Sequence, residues 1–203
     1  MNGPLMTLAA VALYGTLHSA LASHTVKAFV RDRLGARADR WYRVMYNMVA
    51  GLTLLPVLAV AALEPGGLLY RAPWPWAAWL VLGQLGAGVV LILGLLQTDV
   101  WHFMGLRQLG TAQAGQGQLV VTGVYRWVRH PLYTAGLLIL WLTPLMTSSL
   151  LAFNIGLTVY IWIGSRFEER RLAREFGQAY LEYRRRVPAL IPFPRPTTRP
   201  ERS

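Results

Sequence analysis

Two short stretches of this chain concentrate side chains that do chemistry. The first, residues 116–133, reads Gln-Gly-Gln-Leu-Val-Val-Thr-Gly-Val-Tyr-Arg-Trp-Val-Arg-His-Pro-Leu-Tyr, a glycine turn leading into Tyr125, Arg129, His130, Pro131 and Tyr133. Pro131 suits the first turn of a helix, where its missing N–H costs nothing. Such a start offers free backbone N–H groups and the positive end of the helix dipole to an anion. The second stretch begins Arg166-Phe167-Glu168-Glu169-Arg170-Arg171-Leu172 and continues with apolar residues at Phe176, Ala179, Tyr180 and Tyr183. That is the period of an amphipathic surface helix with arginine on its other faces. Glu168 and Glu169 fall at the base of the last apolar run, opposite a mouth built by His130 and Tyr133. The competing reading of both acids is pairing with Arg170–Arg174 at the surface, which is worth little per pair.

The remaining polar residues argue for less. His18 sits near the end of the first apolar run, where an ionisable group is a functional suspect, although a helix-end histidine also hydrogen-bonds a neighbour or reaches the headgroups. Asn47 reads as interhelical glue, and Gly83, Gly86, Gly88 and Gly94 as a close-packing face. Gly83-x-x-Gly86-x-Gly88 follows no strand and opens no βαβ unit, which excludes a dinucleotide fingerprint. His18, His24, His102 and His130 have no helical ligand spacing, and the chain has no cysteine, so no metal site is expected. The same lack excludes disulfides, iron–sulfur clusters and thiol nucleophiles.

The elements that must position these residues are membrane helices. Hydrophobic residues make up 54% of the 203 and charged residues 14%, where a soluble domain carries about a quarter charged. Five apolar runs stand out: Leu5–Ala22, Val44–Leu63, Trp74–Leu96, Leu132–Met146 and Leu150–Gly164. The first three approach the ~20 residues that cross ~30 Å of hydrocarbon. The last two are short, at about 22 Å each, and read as a tight hairpin turning at Thr147-Ser148-Ser149, with a notch left at the membrane surface. The expected fold is all-α: a bundle of five transmembrane helices, the last two a short helical hairpin, plus a C-terminal cytoplasmic surface helix. It forms a single membrane domain over 1–203, with three N-terminal membrane helices in 1–96, a core in 97–194 and a Pro/Arg-rich, extended tail in 195–203.

The charges sort along these runs. The net charge is +11, and every basic residue except Lys27 is arginine. Six lie between the first two runs, one between the second and third, three in 97–131, none in the hairpin turn and ten from Arg166 onward. That alternation places the N-terminus outside and the C-terminus in the cytoplasm, and it accounts for the excess charge without nucleic acid. Trp74, Trp76, Trp79, Trp101, Trp127 and Trp141 lie near helix ends, as an aromatic belt requires. Ala20-Leu21-Ala22 looks like a signal-peptidase site, but no basic residue precedes the apolar run, which argues against cleavage.

Gly123-x-Tyr125-x-x-x-Arg129-His130-Pro131-x-Tyr133, followed by Glu168-Glu169-x-x-Leu172-x-x-x-Phe176-Gly177-x-x-Tyr180-x-x-Tyr183, resembles the isoprenylcysteine carboxyl methyltransferase family and its phospholipid methyltransferase relatives. The likeness continues through Arg186-Val187-Pro188 and Ile191-Pro192. Leu17–Ser23, Tyr42–Asn47, 103–108 and Trp141–Thr147 are similar to the bacterial methanethiol S-methyltransferase and NnrU-like branch. The resemblance implies an integral-membrane enzyme using S-adenosylmethionine, with Gln118, Leu119, Val120, Tyr125, His130, Pro131, Leu132, Tyr133 and Glu168 as cofactor contacts. Each part of that cofactor finds a counterpart: a helix N-terminus for the amino-acid end, tyrosines for stacking and a glutamate for the ribose diol. The family orients substrate with an arginine just before the paired glutamates; here that position falls on Gly164, with Arg166 two residues on as the available arginine.

The expected acceptor is a small or lipophilic thiol, with His18 or His102 as a base whose imidazole titrates near working pH. A prenylated carboxylate or a phospholipid amine is the alternative acceptor. A non-catalytic NnrU-like accessory protein and a small transporter are the alternatives of another class. A transporter would place polar residues at the midplane of several helices, and these runs hold few. The expected setting is the inner membrane of a bacterium.

Overall fold

The structure, a computed structural model, describes residues 2–98 and 118–192. Among the described residues six α-helices and a two-stranded ribbon follow one another: α1 (Gly3–Ala22), α2 (His24–Leu34), α3 (Ala36–Leu63), β1 (Leu68–Arg71), α4 (Trp76–Gln97), a 3-10 turn (Gly123–Arg126), α5 (Pro131–Trp141), β2 (Leu145–Thr147) and α6 (Ser148–Arg186). Gly3–Ala22, Trp41–Leu63, Trp76–Gln97 and the first part of α6 are long and apolar enough to cross a membrane, while α5 is a shorter apolar helix. Their outward surfaces stay apolar, with Leu13, Leu52, Leu85 and Leu96 each well over half exposed. A helix satisfies its own backbone polar groups, so these surfaces suit hydrocarbon.

The bundle is built around α1, which packs on α3 and α6, while α4 packs on α5. Val11, Val57 and Phe153, from α1, α3 and α6, form the buried core. A Cβ on Gly15 would stand 3.0 Å from the Tyr160 ring, and one on Gly94 would stand 2.9 Å from Leu132. Small residues thus bring the helices close, as membrane packing favours. Of the four glycines expected to form a packing face on α4, Gly83 and Gly94 do so, whereas Gly86 and Gly88 face open space.

The structure departs from the sequence expectation at three places. First, α5 stops at Trp141 and does not turn tightly into α6. Pro144 cannot continue a helix, and the chain runs on as β2, antiparallel to β1. Thr147 then caps α6, its hydroxyl accepting from Leu150 N–H at 3.2 Å. The two helices of the expected hairpin consequently splay, α5 lying on α4 and α6 on α1. Asn154 Nδ2 donating to Leu140 O (2.8 Å) and Trp141 Nε1 donating to Thr158 Oγ1 (3.0 Å) tie them near the ribbon.

Second, the expected surface helix is the continuation of α6, which doubles back at Gly177, where φ is +53°. Third, residues 24–34 form a helix of their own. Ser23 Oγ accepts from Val26 N–H at its start, and Gly35, at φ +70°, ends it. The arginine-rich elements gather at one end of the bundle, called here the basic end; the ribbon closes the other.

Candidate functional site

The site at the basic end begins with a turn held by α4. Gln97, the last residue of α4, accepts from Val124 N–H through Oε1 at 2.9 Å. Gly123 has φ +58°, and a Cβ there would run into the Gln97 amide. Both the backbone shape and the space therefore require glycine. The turn sets Tyr125 half-buried beside Thr98; burial and the nearby Glu168 charge push its phenol up to about 12, so it remains a neutral donor. Gln118, Leu119 and Val120 lead into the turn as non-helical chain, Gln118 exposed and the other two half-buried.

The next residues are gripped by the segment after α6. Arg129 and His130 donate their backbone N–H groups to Pro188 O (2.9 Å) and Ala189 O (3.1 Å). Thr134 Oγ1 donates to Leu190 O at 2.7 Å, and Tyr183 Oη to Tyr125 O at 2.6 Å. The Arg129 guanidinium is buried, donating to Glu169 through Nε (2.9 Å) and Nη2, and to the carbonyls of Arg184 (3.2 Å) and Val187 through Nη1. Burial works against the Glu169 carboxylate, but hydrogen bonds from His130 and Arg129 and their charge outweigh it and hold the group at about 2.

On the other side of this clamp lie the buried His130 and the part-exposed Glu168. His130 stands between the two acids, Nδ1 3.6 Å from Glu168 and Nε2 3.4 Å from Glu169. Its ring stacks on Tyr133, with centroids 5.3 Å apart and planes at 21°, and Tyr133 interacts with Glu168. Side-chain exposure separates the paired acids: 33% for Glu168 and 8% for Glu169. Glu169 is spent on the clamp, and Glu168 is the carboxylate a ligand can reach. Beside it, α5 begins at the buried Pro131, and its first in-helix bond runs from Thr134 N–H to His130 O at 3.0 Å. The N–H groups of Leu132 and Tyr133 precede that bond and belong to the helix end that has no intrahelical acceptor.

His18 belongs to a second cluster, deeper in the bundle. Its Nε2 is 2.5 Å from Tyr46 Oη, and its ring lies 5.5 Å from Tyr14 and 6.1 Å from Tyr160. Its Nδ1 is buried and has no hydrogen-bond partner among the described residues. Tyr160, Gly164 and Glu168 recur every fourth residue on α6, one stripe about 12 Å long leading from this cluster to the first. A Cβ on Gly164 would meet nothing within 4 Å.

Arg166 lies two residues from Glu168, about 200° around the helix. It stacks over Trp162 and lines a cavity of about 240 Å³ with Arg129, Glu169 and Leu190. The structure therefore brings His130, Pro131, Tyr133, Tyr125 and Glu168 together, leaves His18 in a separate cluster whose Tyr160 stands about two turns of α6 from Glu168, and leaves Arg166 on the opposite face. His102 and Trp101 lie outside the described residues. Among the described residues no group of histidines and acids could hold a metal. Sequence reasoning missed Tyr46 and Tyr160 as partners of His18, and Gln97 as the anchor of the turn. The spacing of Tyr160 and Glu168 was a signal for the shared stripe.

A family model described as phospholipid methyltransferase matches residues 84–179, which include α5, both acids and the stripe. A methanethiol S-methyltransferase of a Pseudomonas strain, GM41(2012), is 31% identical over 192 residues, covering 90% of this chain and 70% of the relative. The chain belongs to this family of membrane methyltransferases. Methanethiol S-methyltransferase 2 of Bradyrhizobium diazoefficiens is 42% identical over 121 residues, 57% of this chain and 47% of its own length. The chain thus spans about half the length of that relative. Protein-S-isoprenylcysteine O-methyltransferase of Homo sapiens is 37% identical over 78 residues, 37% of this chain and 28% of the human protein. No solved structure matches.

Proposed function

We propose that this family member transfers a methyl group from S-adenosylmethionine to a small thiol, in the bilayer and from the side of the basic end. The observation that carries the reading is the meeting of Glu168, His130 and Tyr133 at the start of α5. The residues present fit the cofactor. Glu168 is the reachable carboxylate for a ribose diol, and the first turn of α5 supplies N–H groups and a dipole for an amino-acid carboxylate. Tyr125 and Tyr133 offer ring faces beside them. When bound, the cofactor supplies an electrophilic methyl group on a sulfonium.

The chain's own contribution is alignment and proton removal. A thiol reacts as its thiolate, so a base must take the S–H proton, and alignment then does most of the remaining work. His18 fits that role: in the tautomer that donates Nε2–H to Tyr46, its Nδ1, without a partner among the described residues, carries a bare lone pair. The names of the bacterial relatives favour methanethiol as the acceptor. So does Gly164, which stands where the family's substrate arginine falls, so that position itself supplies no cation to pair with a prenylcysteine carboxylate. The positive-inside rule directs the basic end to the cytoplasm.

Glu168→Ala is expected to weaken S-adenosylmethionine binding about tenfold or more, the worth of hydrogen bonds to a charged acceptor. Calorimetric titration of the purified protein measures this; unchanged affinity removes Glu168 from the cofactor site. His18→Phe is expected to lower kcat for methanethiol by about 10²–10⁴ with cofactor affinity unchanged. A labelled-methyl transfer assay measures that, and an unaltered kcat means another group takes the proton.

A further inference from the structure

Because α6 doubles back at Gly177, its two arms enclose a groove on the side away from Glu168. Two adjoining hollows occupy it, of about 240 Å³ and 500 Å³, and Arg184 lines both. Arg166 lines the first, and Arg170 and Arg174 line the second. Among the described residues the one acid in the lining, Glu169, is paired with Arg129 and, at 3.7 Å, with Arg184. Among the described residues no carboxylate lies in salt-bridge range of Arg166, Arg170 or Arg174. Two of these charges instead rest on aromatic faces: Arg166 over Trp162 at 5.3 Å and Arg170 over Phe167 at 5.8 Å.

The depth of the groove in the bilayer follows from the same helix. Residues 148–165 carry no charge, a length of about 27 Å. Arg166 is the first charge after that span and therefore stands at the level of lipid phosphates. Trp162 and Phe167 are 53% and 64% exposed, aromatic rings at a membrane boundary of the kind that sit at headgroup depth. An arginine fork matches phosphate oxygens in pairs and tolerates partial desolvation.

We infer that the groove between the two arms of α6 is a binding site for the headgroup of an anionic phospholipid of the surrounding membrane. The phosphate sits among Arg166, Arg170 and Arg184, and the acyl chains leave past Trp162 and Phe167. The inference is independent of the methyltransfer reading, since it is tested by binding alone.

The test is native mass spectrometry of the full-length protein released from detergent with equal amounts of phosphatidylglycerol and phosphatidylcholine. The wild type should retain phosphatidylglycerol preferentially. Arg166→Gln with Arg170→Gln, both at exposed positions, should reduce the preference about fivefold per arginine, the factor for one basic residue at an anionic surface. Arg166→Lys with Arg170→Lys should keep most of it. Equal retention of the two lipids by the wild type would overturn the inference, as would an unchanged preference in the glutamine variant. Displacement of the lipid by millimolar inorganic phosphate would also overturn it, in favour of a site for free anions.

Discussion

The two adjacent glutamates divide their labour according to which side of the helix each occupies. Glu169 neutralises a buried guanidinium, and Glu168 keeps a reachable carboxylate next to His130. Removing the charge of Glu169 strands Arg129 in the interior, and breaking such a buried pair costs about 3–5 kcal/mol. Glu169→Gln should therefore lower the melting temperature of the protein in detergent far more than Glu168→Gln does. The pH dependence has a definite sign. A carboxyl held at about 2 when folded, against an ordinary value of 4.5, adds stability that is fully present above pH 4.5. That stability is lost as pH falls from there toward 2. Melting curves over this range should slope steeply for the wild type and more weakly for Glu169→Gln; parallel slopes would show that the acid response arises elsewhere.

At the scale of elements, the site depends on a short turn that one glutamine holds. Gly123→Ala places a methyl against Gln97 in a backbone region that alanine disfavours. It should displace Tyr125 and weaken cofactor binding, with a fall in stability of about 1–3 kcal/mol. Gln97→Ala in the same background should relieve the collision but neither the backbone strain nor the loss of the acceptor for Val124 N–H, so thermal unfolding and titration should both show little recovery. The apolar runs themselves were legible because hydropathy marks them directly. The end of α5 was not: Thr143 and Pro144 barely interrupt an apolar run, yet proline's missing N–H stops the helix and frees Leu145–Thr147 to pair with β1. The meeting of His130 with the paired acids was legible from two motifs. The partners of His18 were not, since Tyr46 and Tyr160 come from separate helices and no local spacing links them to it.

For the whole molecule, the exposed apolar flanks and the concentration of arginine at one end define a direction across the membrane. The chain has no cysteine, so one introduced residue reports its side without ambiguity. Leu69→Cys, on the ribbon, should react with an impermeant maleimide in intact cells, and Arg185→Cys should react only after lysis. The reverse pattern would invert the orientation. A further consequence concerns biosynthesis. Pro188, Ala189 and Leu190 supply the acceptors that pin Arg129, His130 and Thr134, and all three follow every apolar helix in the chain. A chain truncated before them would keep every apolar helix, yet the proposed donor pocket would lack a wall, so methyl consumption should require these last residues to be made.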